Sequence, residues 1–257
     1  MNDIRHLWLL PVITSLFCII GIIVPYAVGA AIGNIPAFLN VVSDGGAYAP
    51  EKGIFSICLS VSAVLIMITA YIKHVQFIAY YEPRRVDVYW RCFSIATMII
   101  GFIAAAGLAV VGNFSVSIFL FPVFYKRLIW NPTIKLYLCF TTSLSFLQPV
   151  LCSRSLAFTR VALTVLAFLC LLFHQTAQRF LIFVPTGTNL TKSTGGYKPK
   201  YVAPDSPMYI NHIVASCSEW ILAFLVFAYF ATFAEEFRKS SLNLPSINFD
   251  KKSYSHS

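Results

Sequence analysis

The chain has 257 residues, of which 58% are hydrophobic and only 11% are charged, and its mean hydropathy is +0.74. Soluble domains carry about 25% charged residues. Half that share leaves too little polar surface to cover a fold in water, which excludes a soluble globular protein. The net charge of +9 comes from short basic clusters between apolar runs, a pattern typical of membrane topology signals. We therefore expect membrane lipids as partners, and no nucleic acid.

Three apolar segments in the first half of the chain are long enough to cross a bilayer, which takes about 20 residues in a helix. They are residues 7–30, 53–72 and 92–111. The first is longer than the apolar region of a secretory signal peptide, about 7–15 residues, so we expect it to be retained. The third has a surface of small residues that predicts close helix packing: Gly101, Ala105, Gly107 and Ala109.

The fourth span has two candidates. Phe114–Tyr125 is apolar, but it has only half the required length and ends at a basic pair. Residues 133–152 are long enough, although they include a lysine, a glutamine and a proline. We place the fourth span at 133–152, because one of the two segments must cross if the neighbouring spans keep their orientations.

The fifth and sixth spans are predicted at residues 156–174 and 213–234. The polar residues that follow, 237–257, are predicted to form a short, disordered cytosolic tail. The sequence thus predicts an all-α fold, a polytopic membrane bundle of six transmembrane helices within residues 1–236.

Orientation follows from the distribution of Lys and Arg, which are enriched on the cytosolic side of membrane proteins. With both termini in the cytosol, the inner segments carry 11 of these residues and the outer segments carry 7. Two glycosylation triplets agree with this orientation, because Asn113 and Asn189 both fall on the outer side. Asn189 lies in a long polar loop and is the better acceptor, since Asn113 is close to the membrane.

Glu219 is the most unusual residue, because it lies about seven residues, roughly 10 Å, inside the last span. Acidic residues at this depth are costly and are candidates for function. The outer end of the preceding span carries His174, a plausible hydrogen-bond partner. Three interpretations stay open: a structural bond between two helices, a site for a proton or ligand, and a contact with a lipid headgroup.

The first outer loop contains residues 43–51, Ser-Asp-Gly-Gly-Ala-Tyr-Ala-Pro-Glu. The Asp-Gly-Gly step is typical of a turn, and Glu51 is placed where a helix N-terminus favours an acid. The loop is either a capped turn packed on the bundle or a recognition loop on the outer face.

Catalytic and metal-binding patterns are missing from the sequence. We find no nucleophile elbow, HExxH, P-loop or dinucleotide loop, and we expect no enzyme activity and no cofactor. The seven cysteines lie in or at the ends of apolar runs, where we expect neither disulfides nor a metal site: Cys18, Cys58, Cys92, Cys139, Cys152, Cys170 and Cys217.

Two motifs resemble the DRAM family, the damage-regulated autophagy modulators. The first lies in the outer loop and comprises Ser43, Asp44, Gly46, Pro50, Glu51, Gly53, Ile54 and Phe55. The second begins with Glu219-Trp220 and continues through an aromatic-rich helix to Thr232-Phe233 and Glu235-Glu236. An Asn-Phe pair at Asn113 also matches, whereas residues 115–155 depart from the family pattern.

The resemblance implies a non-enzymatic, six-helix protein of lysosomal or endosomal membranes that promotes autophagy with protein partners of that machinery. A related branch of the superfamily implies an alternative, a scaffold for phosphoinositide kinases and lipid handling at the plasma membrane. A second alternative, a pathway for a proton or small solute, depends on Glu219. The sequence leaves the oligomeric state open.

Overall fold

The computed structural model describes residues 3–4, 6–81, 88–114, 131–148, 151–180, 205–240 and 242–243. This part of the chain is helical, apart from one pair of two-residue strands, and the predicted all-α fold class is confirmed. The helices in chain order are α1 (Leu9–Ile32), α2 (Glu51–Tyr81), α3 (Val88–Asn113), α4 (Asn131–Leu147), α5 (Arg154–Phe180), α6 (Tyr209–Ala231) and α7 (Phe233–Arg238).

Five helical segments in the described residues are long and apolar enough to cross a membrane. They are α1, α2, α3, α5 and the run of α6 and α7 from Tyr209 to Arg238. The mean hydropathy of their most apolar windows lies between 1.9 and 2.3. Many of their large side chains face outward rather than into the bundle, as expected of helices surrounded by lipid.

The fourth predicted span, residues 133–152, forms α4 but ends earlier than predicted. The helix ends at Leu147, and its apolar part, Thr133–Leu147, is shorter than a straight crossing requires. Pro149 explains the end of the helix, because the residue before a proline is disfavoured in helical conformation. The alternative span beginning at residue 114 lies outside the described residues.

The second span is also longer than its predicted range of 53–72, since α2 runs from Glu51 to Tyr81. Polar residues from Lys73 onward end the apolar run in the sequence. In the structure Lys73 turns inward and pairs with Glu236 of α7, so the helix continues past the apolar run without exposing this charge to lipid.

Each long helix packs against the next one in the chain, and α1 closes the ring by packing on α6. Contacts between side chains show that neighbouring helices are antiparallel. Tyr26 of α1 packs on Trp220 of α6, for example, whereas Ser15 donates a hydrogen bond to the carbonyl of Phe227. The bundle is therefore an up-and-down ring with one central space.

Small residues set the closest approaches between helices. A Cβ atom added at Gly21 would lie 2.7 Å from Cβ of Cys58, and one at Gly101 would lie 2.7 Å from the ring of Tyr137. The predicted packing role of the third span is thus seen at Gly101 and at Ala105, which is buried.

The two ends of the chain meet at one end of the bundle. Residues Asp3–Ile4 (β1) pair antiparallel with Leu242–Asn243 (β2). Phe237, at the beginning of the predicted tail, belongs to α7 and is fully buried. Residues 244–257 lie outside the described residues, so disorder of the tail stays a prediction.

Candidate functional site

The outer end of the bundle is covered by the loop between α1 and α2, which holds the first family motif. Gly33 ends α1 in the left-handed conformation, with φ of 83°, and a 3-10 turn follows at Val42–Gly46. Asp44 and Gly46 are buried in this turn. The loop therefore packs as part of the bundle, as the capped-turn interpretation expects.

Glu51 anchors the end of this loop. Its side chain is fully buried in the first turn of α2, and Nδ2 of Asn34 donates to both carboxylate oxygens at 2.9 and 3.2 Å. An acid at a helix N-terminus is stabilised by the helix dipole. Nearby, partial burial together with the carboxylates of Asp44 and Glu51 raises the pKa of Tyr48, which keeps the phenol neutral.

Asn40 connects the loop to α1 and α6. Its backbone N–H donates to Oη of Tyr26 at 3.0 Å, and its carbonyl accepts from Nε1 of Trp220 at 2.9 Å. Its Oδ1 lies 2.9 Å from Nε2 of His212. The Trp of the second family motif thus holds the loop of the first, which gives a physical reason for the two motifs to occur together.

Replacing Trp220 with Phe should loosen this connection. The change removes the donor to the carbonyl of Asn40 while keeping an aromatic ring, so we expect unfolding to become easier by about 1 kcal/mol. Thermal unfolding of the purified protein measures the effect. Trp90→Phe, at the beginning of α3 beside Tyr89 and Phe93, is the matched control. An equal change in both variants would contradict the role of Asn40.

A central cavity of about 110 Å³ lies within the ring of helices. Its walls are mostly apolar, with Leu59, Ile66, Leu222 and Phe230 among the lining residues. The polar groups at its outer end are the interesting ones chemically: Ser43, His174 and Glu219. Such a cavity suits a small ligand with an apolar body and one polar end.

Glu219 and His174, which the sequence predicted as hydrogen-bond partners, both line this cavity. Nδ1 of His174 lies 3.0 Å from the backbone carbonyl of Ala215, one turn before Glu219 on α6. His174 thus links α5 to the α6 backbone rather than holding the Glu219 carboxylate through this nitrogen. Of the loop motif, Ser43 lines the same cavity, whereas Pro50 is exposed at the edge of the loop.

A second polar site, which sequence reasoning missed, lies at the inner end of the bundle. Glu236 of α7 pairs with Lys73 of α2 and with Arg160 of α5, and all three residues are buried. Arg160 is completely enclosed; its Nε donates to Thr232 at 2.8 Å and its Nη1 to Ser145. One carboxylate thus joins three helices.

The sequence carries a signal for this cluster. Arg160 lies about two turns inside α5 and is followed by a long run of apolar residues. Glu236 is the last residue of the second family motif. A buried cation in a membrane helix requires a partner, and that requirement would have favoured Glu236.

The two glycosylation candidates have different outcomes. Asn113 ends α3, where its Nδ2 donates to Oγ of Ser60 at 2.8 Å and to the carbonyl of Ala109 at 2.7 Å. Its Oδ1 accepts from Ser56. These bonds join α3 to α2 and engage the nitrogen that a glycan would modify. Asn189 lies outside the described residues, and its glycosylation stays a prediction.

Comparison with known proteins places this architecture in a family. Residues 6–240 match the model of the Frag1/DRAM/Sfk1/Cwh43P N-terminal domain. The chain is 25% identical over 220 residues to human DNA damage-regulated autophagy modulator protein 2, covering 85% of the chain and 79% of that protein. It is 26% identical over 236 residues to mouse DNA damage-regulated autophagy modulator protein 1, covering 89% and 90% respectively.

A more distant similarity is to transmembrane protein 150A of Xenopus laevis, with 26% identity over 198 residues, 77% of the chain and 61% of that protein. No solved structure gives a significant match. The family match spans all seven described helices and both motifs, which confirms the DRAM resemblance read from the sequence. The chain belongs to the family of the Frag1/DRAM/Sfk1/Cwh43P N-terminal domain, with DRAM proteins among its relatives.

Proposed function

We propose that this protein is a non-enzymatic, multi-pass membrane regulator of autophagy in lysosomal or endosomal membranes. The observation that carries the proposal is the similarity to autophagy modulators. The match with human DNA damage-regulated autophagy modulator protein 2 covers 85% of this chain, and the match with mouse DNA damage-regulated autophagy modulator protein 1 covers 89% of it. The match includes the outer loop and α6, which contact each other through Asn40 and Trp220. Protein partners of the autophagy machinery are part of the proposal.

The proposed orientation has both termini in the cytosol. The pairing of β1 with β2 supports it, because the two chain ends then lie on one side of the membrane. The buried cluster around Glu236 faces the cytosolic end in this orientation, and the loop with Ser43 and Asp44 faces the lumen. The predicted acceptor Asn189 then also faces the lumen, where glycosylation takes place.

The experiment combines localisation with autophagic flux in cells that lack the protein. We expect a tagged copy to overlap a lysosomal or endosomal marker, and we expect deletion to lower flux until the wild-type copy restores it. A copy confined to the plasma membrane, together with unchanged flux, would contradict the proposal. That outcome would favour the alternative of a scaffold at the plasma membrane.

The central cavity favours a second candidate, a binding site or pathway for a proton, a small solute or a lipid headgroup that uses Glu219. Glu219→Gln in reconstituted vesicles tests this function, since the change removes the charge and keeps the shape. We expect Glu219→Gln to transport protons or solute across the vesicle membrane more slowly than the wild type. Thr14→Val, a change near the other end of the cavity, is the control. Equal flux in wild type and Glu219→Gln would remove this candidate.

A further inference from the structure

The ion cluster at the inner end of the bundle carries an excess positive charge. It contains two cations, Lys73 and Arg160, and in the described part of the chain both pair with the same carboxylate, Glu236. Arg160 cannot lose its charge in a protein. A buried charge without a counter-charge is strongly unfavourable, so the cluster lacks one negative charge.

The same region also contains buried donors without an acceptor. Both carboxylate oxygens of Glu236 are already engaged. Three buried groups have no hydrogen-bond partner among the described residues: Nη2 of Arg160, Nε2 of Gln148 and Oη of Tyr137. All three can donate a hydrogen bond. What is missing is therefore an acceptor. A negatively charged acceptor would both accept these hydrogen bonds and balance the excess positive charge.

A small cavity lies at this place, lined by Lys73, Tyr137 and Gln148 together with residues of α2 and α3. Its volume is about 10 Å³, which is room for one water-sized occupant, and a chloride ion is only slightly larger than a water molecule. A water molecule would bring two donors of its own to a site where donors are in excess. A halide ion only accepts hydrogen bonds and carries the required charge.

We propose that this cavity binds one small monovalent anion, of which chloride is the abundant physiological example. Lys73 supplies the charge at the site. Arg160 does not line the cavity, but it also pairs with Glu236, so that single carboxylate cannot balance both cations. Gln148 and Tyr137 of α4 donate hydrogen bonds to the ion. The anion then ties α4, which is shorter than the five helical segments long enough to cross a membrane, to α2.

Thermal unfolding of the full-length protein in detergent tests this site, with chloride compared against gluconate at equal ionic strength. We expect chloride to raise the unfolding temperature by about 3 °C, with saturation, as for a ligand that binds only the folded state. Bromide should act similarly, because it is a similar monatomic ion, and gluconate is too large for the cavity. Equal unfolding temperatures in chloride and gluconate would overturn the proposal.

Tyr137→Phe is the most informative variant, since it removes only one hydroxyl. With an empty cavity, losing the unpartnered hydroxyl is neutral or stabilising, and with a water molecule in the cavity it costs one hydrogen bond. In both cases the change is equal in all salts. With an anion bound, the variant should need a several-fold higher chloride concentration for half of the effect. Lys239→Met, which changes an exposed cation at the same end, should keep the wild-type response. A Tyr137→Phe response identical to wild type would overturn the site.

Discussion

Replacing Glu236 with Gln should destabilise the protein by about 3–5 kcal/mol, the largest effect we expect from a single change. The substitution keeps the shape of the side chain and removes its charge. Lys73 and Arg160 would then be buried with no counter-charge among the described residues. Breaking a buried ion pair by removing one partner carries a cost of this size. Thermal or denaturant unfolding of the purified protein measures it.

The adjacent residue provides a matched control. Glu235 is 47% exposed, and its carboxylate lies 3.8 Å from the ammonium group of Lys239, the residue that follows the last residue of α7. Exposed pairs of this kind contribute between zero and about 1 kcal/mol, so Glu235→Gln should leave unfolding nearly unchanged. Equal destabilisation by the two variants would show that the cluster does not hold α2, α5 and α7 together.

Gly46→Ala should be the second most damaging change, costing about 1–3 kcal/mol. A Cβ atom at this position would lie 2.5 Å from the ring of Phe55, which is buried beneath the outer loop. Either the ring or the loop must move, and the movement disturbs the wall of the central cavity at Ser43 and Phe55. Unfolding measurements and surface accessibility of the loop both report the change.

Gly53→Ala tests whether this effect is specific, because Gly53 belongs to the same motif. A Cβ atom at Gly53 meets nothing within 4 Å, and the residue lies inside α2. Alanine is preferred over glycine in a helix by up to about 1 kcal/mol, so Gly53→Ala should be neutral or stabilising. Destabilisation by Gly53→Ala as large as that by Gly46→Ala would contradict the packing described for the loop.

The spans were largely predictable because lipid demands long apolar helices, and that demand is visible in composition alone. The ends of the spans were less predictable. Pro149 shortened α4 by local backbone geometry, which the sequence does contain. Past the apolar run, Lys73 of α2 turns inward and pairs with Glu236, which lies 163 residues away in the sequence. A hydropathy window does not detect a partner at that separation.

In the candidate sites, too, some features could be predicted from the sequence and others depend on contacts between distant residues. The depth of Glu219 and its proximity to His174 followed from counting residues along antiparallel helices, and both line one cavity. The burial of Asp44 and Glu51 did not follow, because acids in a loop are ordinarily solvated. Their burial depends on Asn34, Asn40 and Trp220, whose contacts exist only once the loop has folded onto the bundle.

The central claim is an up-and-down bundle whose two ends lie on the cytosolic side. Protease treatment of sealed lysosomal or endosomal vesicles, from cells expressing copies tagged at the N- or the C-terminus, tests that arrangement. Because β1 pairs with β2, the two ends lie on the same side, and the proposed orientation predicts that both tags are digested without detergent. Protection of either tag until detergent is added would contradict the arrangement, and with it the placement of the outer loop and the inner ion cluster.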